Sequence, residues 1–282
     1  MKHHATTAAL GLLMTCAIAI PVFAIVNGEA DTDNEFPNVG SIIATDHPTI
    51  PTPQTISSAT LIHPKVVMTA GHTVAFMRKM IANNVVELSD LAVVFTPDAH
   101  DETGVEYRIA EMRIHEGFTD FDQKGGRDAT SIDVGLLILT EAVAGITPVE
   151  LPEAGFLDSL DLDRGTSESK PEFIAVGYGN TVLTPPDGGL PVGERRVAIS
   201  TFKSLRNSYL MLSQNFALDE GGFSRGDSGG PAFWELGDGS LVQVGLLVNG
   251  DHASANYGAC VRTDIQTVID FIDDAIDELE SE

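Results

Sequence analysis

Three short stretches of the chain carry residues that could do acyl-transfer chemistry together. In Gly226-Asp227-Ser228-Gly229-Gly230-Pro231 a serine stands among three glycines. Glycine opens backbone angles closed to other residues. Such a stretch can expose a hydroxyl while leaving backbone N–H groups free to meet a developing oxyanion. In Thr69-Ala70-Gly71-His72-Thr73 a histidine follows the apolar run Val66 to Met68. Its side chain can take and return a proton near neutral pH. In Ser131-Ile132-Asp133-Val134 an acid opens the apolar run Gly135 to Leu139. Each stretch alone has an ordinary reading: a polar turn, a solvated histidine, a strand-end charge. In the order His72, Asp133, Ser228 they supply a base, a group to orient it and a nucleophile.

The elements that must position these groups are mostly short strands. Apolar, β-branched runs lie at Val39 to Ala44, Ile56 to Ile62, Val66 to Thr69, Val85 to Leu88, Leu91 to Phe95, Tyr107 to Ile114 and Val134 to Leu139. The second half continues with Phe173 to Val176, Arg196 to Phe202, Tyr209 to Leu212, Ala232 to Trp234, Leu241 to Val248 and Ala259 to Arg262. Such runs between turn signals predict an all-β barrel or sandwich. Glu116 to Ser131, Leu157 to Pro171 and Thr184 to Gly193 read as loops. Only the end has helical period: Ile265, Val268, Ile269, Ile272 and Ile276 form one stripe. Asp264 suits its N-cap, and acids near its C-terminus oppose the helix dipole, so the last turn should fray.

Composition narrows the class. The 282 residues are 43% hydrophobic and 20% charged, with 27 Gly and 14 Pro. A net charge of −25 disfavours nucleic acid and anionic membranes as partners. Residues 1–24 read as a signal peptide: Lys2, an apolar stretch from Ala8 to Ile20, then Val22-Phe23-Ala24 before the cut. That predicts an exported protein, secreted or periplasmic, with no membrane span once the segment is removed. Of two cysteines, Cys16 lies in that segment and Cys260 remains alone, so no intrachain disulfide is expected. The serine stretch also fits Gly-x-Ser-x-Gly of α/β-hydrolases. That fold needs Asp and then His after the serine, with alternating helices. Here only His252 follows, and the helices are missing.

The three stretches, together with Ile25-Val26-Asn27-Gly28, Gly177-Tyr178-Gly179 and the terminal helix, resemble the trypsin-like (chymotrypsin-fold) serine protease family. The resemblance implies two antiparallel Greek-key β-barrels with the site between them, and a C-terminal α-helix. Residues 25–145 would form the first barrel with His72 and Asp133, and 146–263 the second with Ser228. Residues 264–282 would be an acidic amphipathic helix. It implies a secreted serine endopeptidase acting on proteins or peptides through an acyl-enzyme, without cofactor or metal. The N–H groups of Gly226 and Ser228 would hold the oxyanion. The alternative is a homologue that uses the fold only to bind. Asp98, Asp101, Glu102 and Glu106 suggest a calcium loop, but with the wrong spacing, and read as a solvated acidic loop.

Departures from the family pattern accompany the matches. Ser57, Thr73 and Ser224 stand near expected cysteines, and Val248 replaces a serine that usually bonds the triad acid. The resemblance puts Gly222 at the base of the specificity pocket, with Phe223, Val248, Gly250 and Gly258 around it. An uncharged base and open glycine walls predict cleavage after large apolar residues. Cleavage after Lys or Arg is the runner-up, should a register shift bring Glu220 or Asp219 to the base. It also implies that a new N-terminus at Ile25 pairs its ammonium with Asp227, so that signal-peptide removal itself activates the enzyme.

Overall fold

The computed structural model describes residues 25, 27–45, 53–119, 131–163, 170–180, 193–215, 218, 220–250 and 256–281. The predicted signal peptide and most of two of the predicted loops lie outside these. The chain enters through β1 (Glu29–Ala30). Six strands then close a barrel: β2 (Val39–Ala44), β3 (Gln54–His63), β4 (Val66–Thr69), β5 (Leu91–Val94), β6 (Tyr107–Ile114) and β7 (Gly135–Leu139). Their hydrogen-bonded order is β2-β3-β4-β7-β6-β5, with β5 returning to β2. A second barrel uses β8 (Glu172–Gly177), β9 (Arg196–Leu205), β10 (Tyr209–Ser213), β11 (Pro231–Glu235), β12 (Leu241–Gly250) and β13 (Tyr257–Arg262). Its order is β9-β10-β13-β12-β11-β8, closed by β8 against β9. All ladders are antiparallel.

The two-residue period of a strand divides these apolar runs between different cores. Ile42, Leu61, Val67, Val93 and Leu137 share one cluster inside the first barrel. Phe173, Ala175, Leu210, Leu212, Val244 and Cys260 share another in the second. Their alternates Ile43, Met68, Leu136, Val176, Met211, Leu246 and Val261 join a third cluster that holds residues of both barrels. Strands with apolar residues on both faces are thus explained: one face fills a barrel and the other joins barrel to barrel.

Several expectations from sequence are corrected. A 12-residue helix, α1 (Gly71–Ala82), begins at the residue before His72 and buries Val74 and Met77. Val85 to Leu88 is not a strand. The Val85 N–H bonds back to the Met80 carbonyl at 2.9 Å and closes α1, and a 3-10 turn, Leu88–Asp90, follows. A single helical turn, α2 (Phe156–Ser159), interrupts the 157–171 loop. The terminal helix α3 (Gln266–Glu280) is capped by Ile265 backbone. Asp264 instead accepts from Arg262 Nε and Nη2, both at 2.8 Å, and from the Leu157 N–H at 2.8 Å. Helix geometry persists to Glu280, where Arg113 pairs Glu278 at 2.7 Å. Strand β1 pairs with β9, Glu29 opposite Val197, so the segment after Ile25 belongs to the second barrel.

That segment is pinned by a buried ion pair. Arg195, fully buried, donates to Asp31 at 2.7 Å, to the Val39 and Phe95 carbonyls at 2.9 and 3.2 Å, and to Asn34. Asp31 also accepts from the Glu35 and Phe36 N–H groups. A buried pair satisfied this completely avoids the penalty of stranded charge, and it ties residues 31–39 to both barrels.

Candidate active site

The sequence places His72 on the first turn of α1, because Gly71 and the preceding Ala70 leave β4 and turn at once into helix. The Ala70 carbonyl accepts from Thr73 and Val74 at 3.1 and 3.2 Å. Asp133, 2% exposed, precedes β7, which pairs with β4. Adjacent strands therefore deliver the two groups to one end of the barrel. The Asp133 carboxylate takes two bonds from His72: the backbone N–H at 2.8 Å and ring Nδ1 at 2.8 Å. A carboxylate can only accept, so Nδ1 is the protonated nitrogen that donates to it, which leaves Nε2 with its lone pair. Among the described residues Asp133 accepts from His72 alone. Val248 is buried in the inter-barrel cluster, and its side chain carries no donor.

Ser228 arrives from the second barrel, between β10 and β11. Gly226 and Gly229 adopt φ of 100° and 85°, angles that strain other residues. Adjacent serines on β3 grip this loop from the first barrel. The Ser58 N–H and the Ser57 hydroxyl donate to the Ser228 carbonyl at 3.0 and 2.6 Å. The Ser58 hydroxyl, buried, donates to the Gly226 carbonyl and accepts from the Tyr178 N–H, both at 2.9 Å. Gly229 packs so close to Thr69 and Ser58 that any Cβ there would strike them, and it lies tight against Ala70. The serine loop thus lies against the residues that lead into His72. Among the described residues none accepts from the N–H of Gly226 or of Ser228. Two neighbouring donors, aimed by fixed carbonyls and left unpaired, are what an oxyanion needs.

Sequence reading assigned the Ser57 hydroxyl no part and missed Ser58. The only signal was a pair of polar residues within an apolar strand. Ser57 also meets Thr73 at 3.0 Å, hydroxyl to hydroxyl. Two side chains in contact, 16 residues apart, suit a cross-link. Ser57→Cys with Thr73→Cys should form a disulfide worth about 2–4 kcal/mol. The check is a rise in Tm of the oxidised variant that reductant reverses.

Asp227 is fully buried. Its carboxylate accepts from Gly179 N–H at 2.7 Å and Ser224 N–H at 2.8 Å. It lies where Cβ atoms at Gly177 and Gly179 would be, which explains the glycines flanking Tyr178. Among the described residues it has no cationic partner. Burial pushes its carboxyl up to about 7, against the opposing bonds from Ser224 and Gly179. Ile25 is also fully buried, within the second-barrel cluster.

The pocket residues are only partly as expected. Gly250 and Gly258 face each other across β12 and β13, and Gly222 is buried before them. The wall at Gly258 is not open: a Cβ there would collide with the Phe223 ring and the Gln214 amide. Val248 is buried in the inter-barrel cluster. The Glu220 carboxylate accepts from Thr201, Ser213 and Asn215 at 2.5, 2.6 and 2.7 Å. Burial works to raise its pKa, but these donors and Lys170 outweigh it and hold it below the usual range. It is fully engaged there; Asp219 lies outside the described residues. Near the suspected calcium loop, Asp98 caps the His100 N–H, Asp101 caps Thr103 and Glu106 pairs Arg108 at 2.6 Å. Among the described residues no three His, Cys, Asp or Glu side chains come together as a metal site would need.

Comparison with curated proteins gives no match. A family model, Trypsin, matches residues 25–272, a span that takes in both barrels, the nucleophile loop and the start of α3. The chain belongs to the trypsin-like serine protease family.

Proposed function

We propose that this protein is an exported serine endopeptidase in which His72, Asp133 and Ser228 form the catalytic triad. The carrying observation is the pair of hydrogen bonds from His72 to the buried Asp133, of which the one from Nδ1 sets the tautomer that a general base requires. In this reading Nε2 of His72 takes the proton of the Ser228 hydroxyl as its oxygen attacks the scissile carbonyl. The tetrahedral oxyanion is held by the N–H groups of Gly226 and Ser228. The imidazolium, stabilised by Asp133, then gives its proton to the leaving amine, and an acyl-enzyme remains. Water repeats the sequence and restores the serine. Removal of residues 1–24 on export frees the Ile25 ammonium to pair with Asp227.

Pre-steady-state hydrolysis of an activated ester tests this. The expected result is a burst of leaving group of about one equivalent per enzyme, as acyl-enzyme accumulates. A linear release without burst, together with unmeasurable peptide hydrolysis, favours the binding-only homologue instead.

A further inference from the structure

Two facing glycines on paired strands remove two side chains from one place. In this chain the vacated space is refilled from within. Gly250 and Gly258 pair across β12 and β13, and the ring of Phe223 occupies the position a Cβ on Gly258 would take. Phe223 is 3% exposed and belongs to the second-barrel cluster. The ring is packed, not a loose surface group.

Gln214, which is fully buried, holds it there. With its amide oriented to suit its neighbours, its oxygen accepts from the Phe223 N–H at 2.8 Å and its nitrogen donates to the Tyr257 carbonyl at 3.1 Å. The same amide also lies against Gly250 and Gly258. One side chain therefore links the segment before the nucleophile to the strand end that forms the opposite wall. Ser224 secures the other side of Phe223, its N–H on Asp227 at 2.8 Å and its hydroxyl on the Asn180 carbonyl at 2.5 Å. The backbone on both sides of the ring is fixed by these bonds, and the ring itself is held by its packing in the second-barrel cluster.

We propose that Phe223 is a built-in plug of the specificity pocket, seated by Gln214, and that the enzyme cleaves after small residues such as Ala, Gly or Ser. This rests on the endopeptidase reading above and replaces the expectation of a roomy pocket. A large side chain before the scissile bond must displace a buried phenyl ring, which disfavours it by about 10- to 100-fold. For a cationic one, Glu220, the carboxylate among the described residues that a register shift would offer, is already bonded to three donors.

The test uses the mature protein and peptide anilides identical except for Ala, Val, Phe or Arg before the scissile bond. The wild type should cleave after Ala best, with kcat/KM at least about 10-fold above Phe. In Phe223→Ala the ratio of Phe to Ala cleavage should rise about 10- to 100-fold. Phe223→Leu, which keeps an apolar group in the core, should raise it less. Should Phe223→Ala fail to fold, Phe223→Leu alone decides. Labelling of each variant with a fluorophosphonate reports an intact nucleophile independently of the pocket. A wild type that labels but prefers Phe or Arg overturns the plug, as does an unchanged ratio in a Phe223 variant that labels. Absence of both labelling and hydrolysis across the panel overturns the endopeptidase reading, and the plug with it.

Discussion

Ser228→Ala is expected to lower peptide turnover by about a million-fold, and His72→Ala to do the same, with the fold unchanged. The reason is that neither group acts alone. Without Nε2 of His72 the hydroxyl is too weakly acidic to attack, and without the hydroxyl the base has nothing to activate. The double variant should be little worse than either single one, because members of a triad act as a unit. Residual hydrolysis should stay above that in water, since the donors of Gly226 and Ser228 and the binding cleft are untouched. Circular dichroism and single-turnover hydrolysis check both parts. Asp133→Asn should lose less than Ser228→Ala. Its geometry survives, but Nδ1 can then face an amide and the histidine can adopt the wrong tautomer.

The second large effect concerns the N-terminus. One residue added before Ile25, or Asp227→Asn in the mature chain, should cut activity by at least the about 100- to 1,000-fold that one oxyanion donor is worth. In the uncut chain the Ile25 nitrogen is an amide, and burial leaves the Asp227 carboxyl raised to about 7. In the proposed activation the freed Ile25 ammonium pairs with Asp227, which lies in the same loop as the N–H groups of Gly226 and Ser228. A stability signature follows from the sign of that shift. Below about pH 4 the group is protonated both folded and unfolded, so it contributes nothing. From there to about pH 7 the unfolded chain ionises first, and the uncut folded state loses up to about 4 kcal/mol. The mature form, with its carboxylate held charged by the ammonium, escapes this loss. The Tm difference between mature and N-terminally extended proteins should therefore open as pH rises from 4 to 7. At higher pH, deprotonation of the ammonium should lower the mature enzyme's activity.

Much of this site could be read from the sequence because its residues interrupt a pattern. Strand runs such as Val66 to Thr69 and Tyr107 to Ile114 match β4 and β6 end to end: β4, buried at every position, leaves an unbroken apolar run, while β6 alternates buried Tyr107 and Ile109 with less buried neighbours. The triad positions stand where those runs stop. Helix α1 was not legible. Its buried face is only Val74 and Met77 after Gly71 and Thr73, too short a stripe to show a period. Asp264 looked like a cap, but its carboxylate is taken instead by neighbouring Arg262 and by the Leu157 N–H, 107 residues away. The plug at Phe223 was invisible for a different reason. Whether a pocket is open depends on which side chain points into it, and neither Gly258 nor Phe223 shows that in one dimension. Ser58 was hidden likewise, because its partners Tyr178 and Gly226 lie 120 and 168 residues away.

The most direct measurement is to treat the protein beginning at Ile25 with a fluorophosphonate and map the adduct by peptide mass spectrometry. A single adduct on the Ser228 hydroxyl, absent in His72→Ala, is the predicted result. No adduct, or one on another residue with Ser228 unmodified, would contradict the triad.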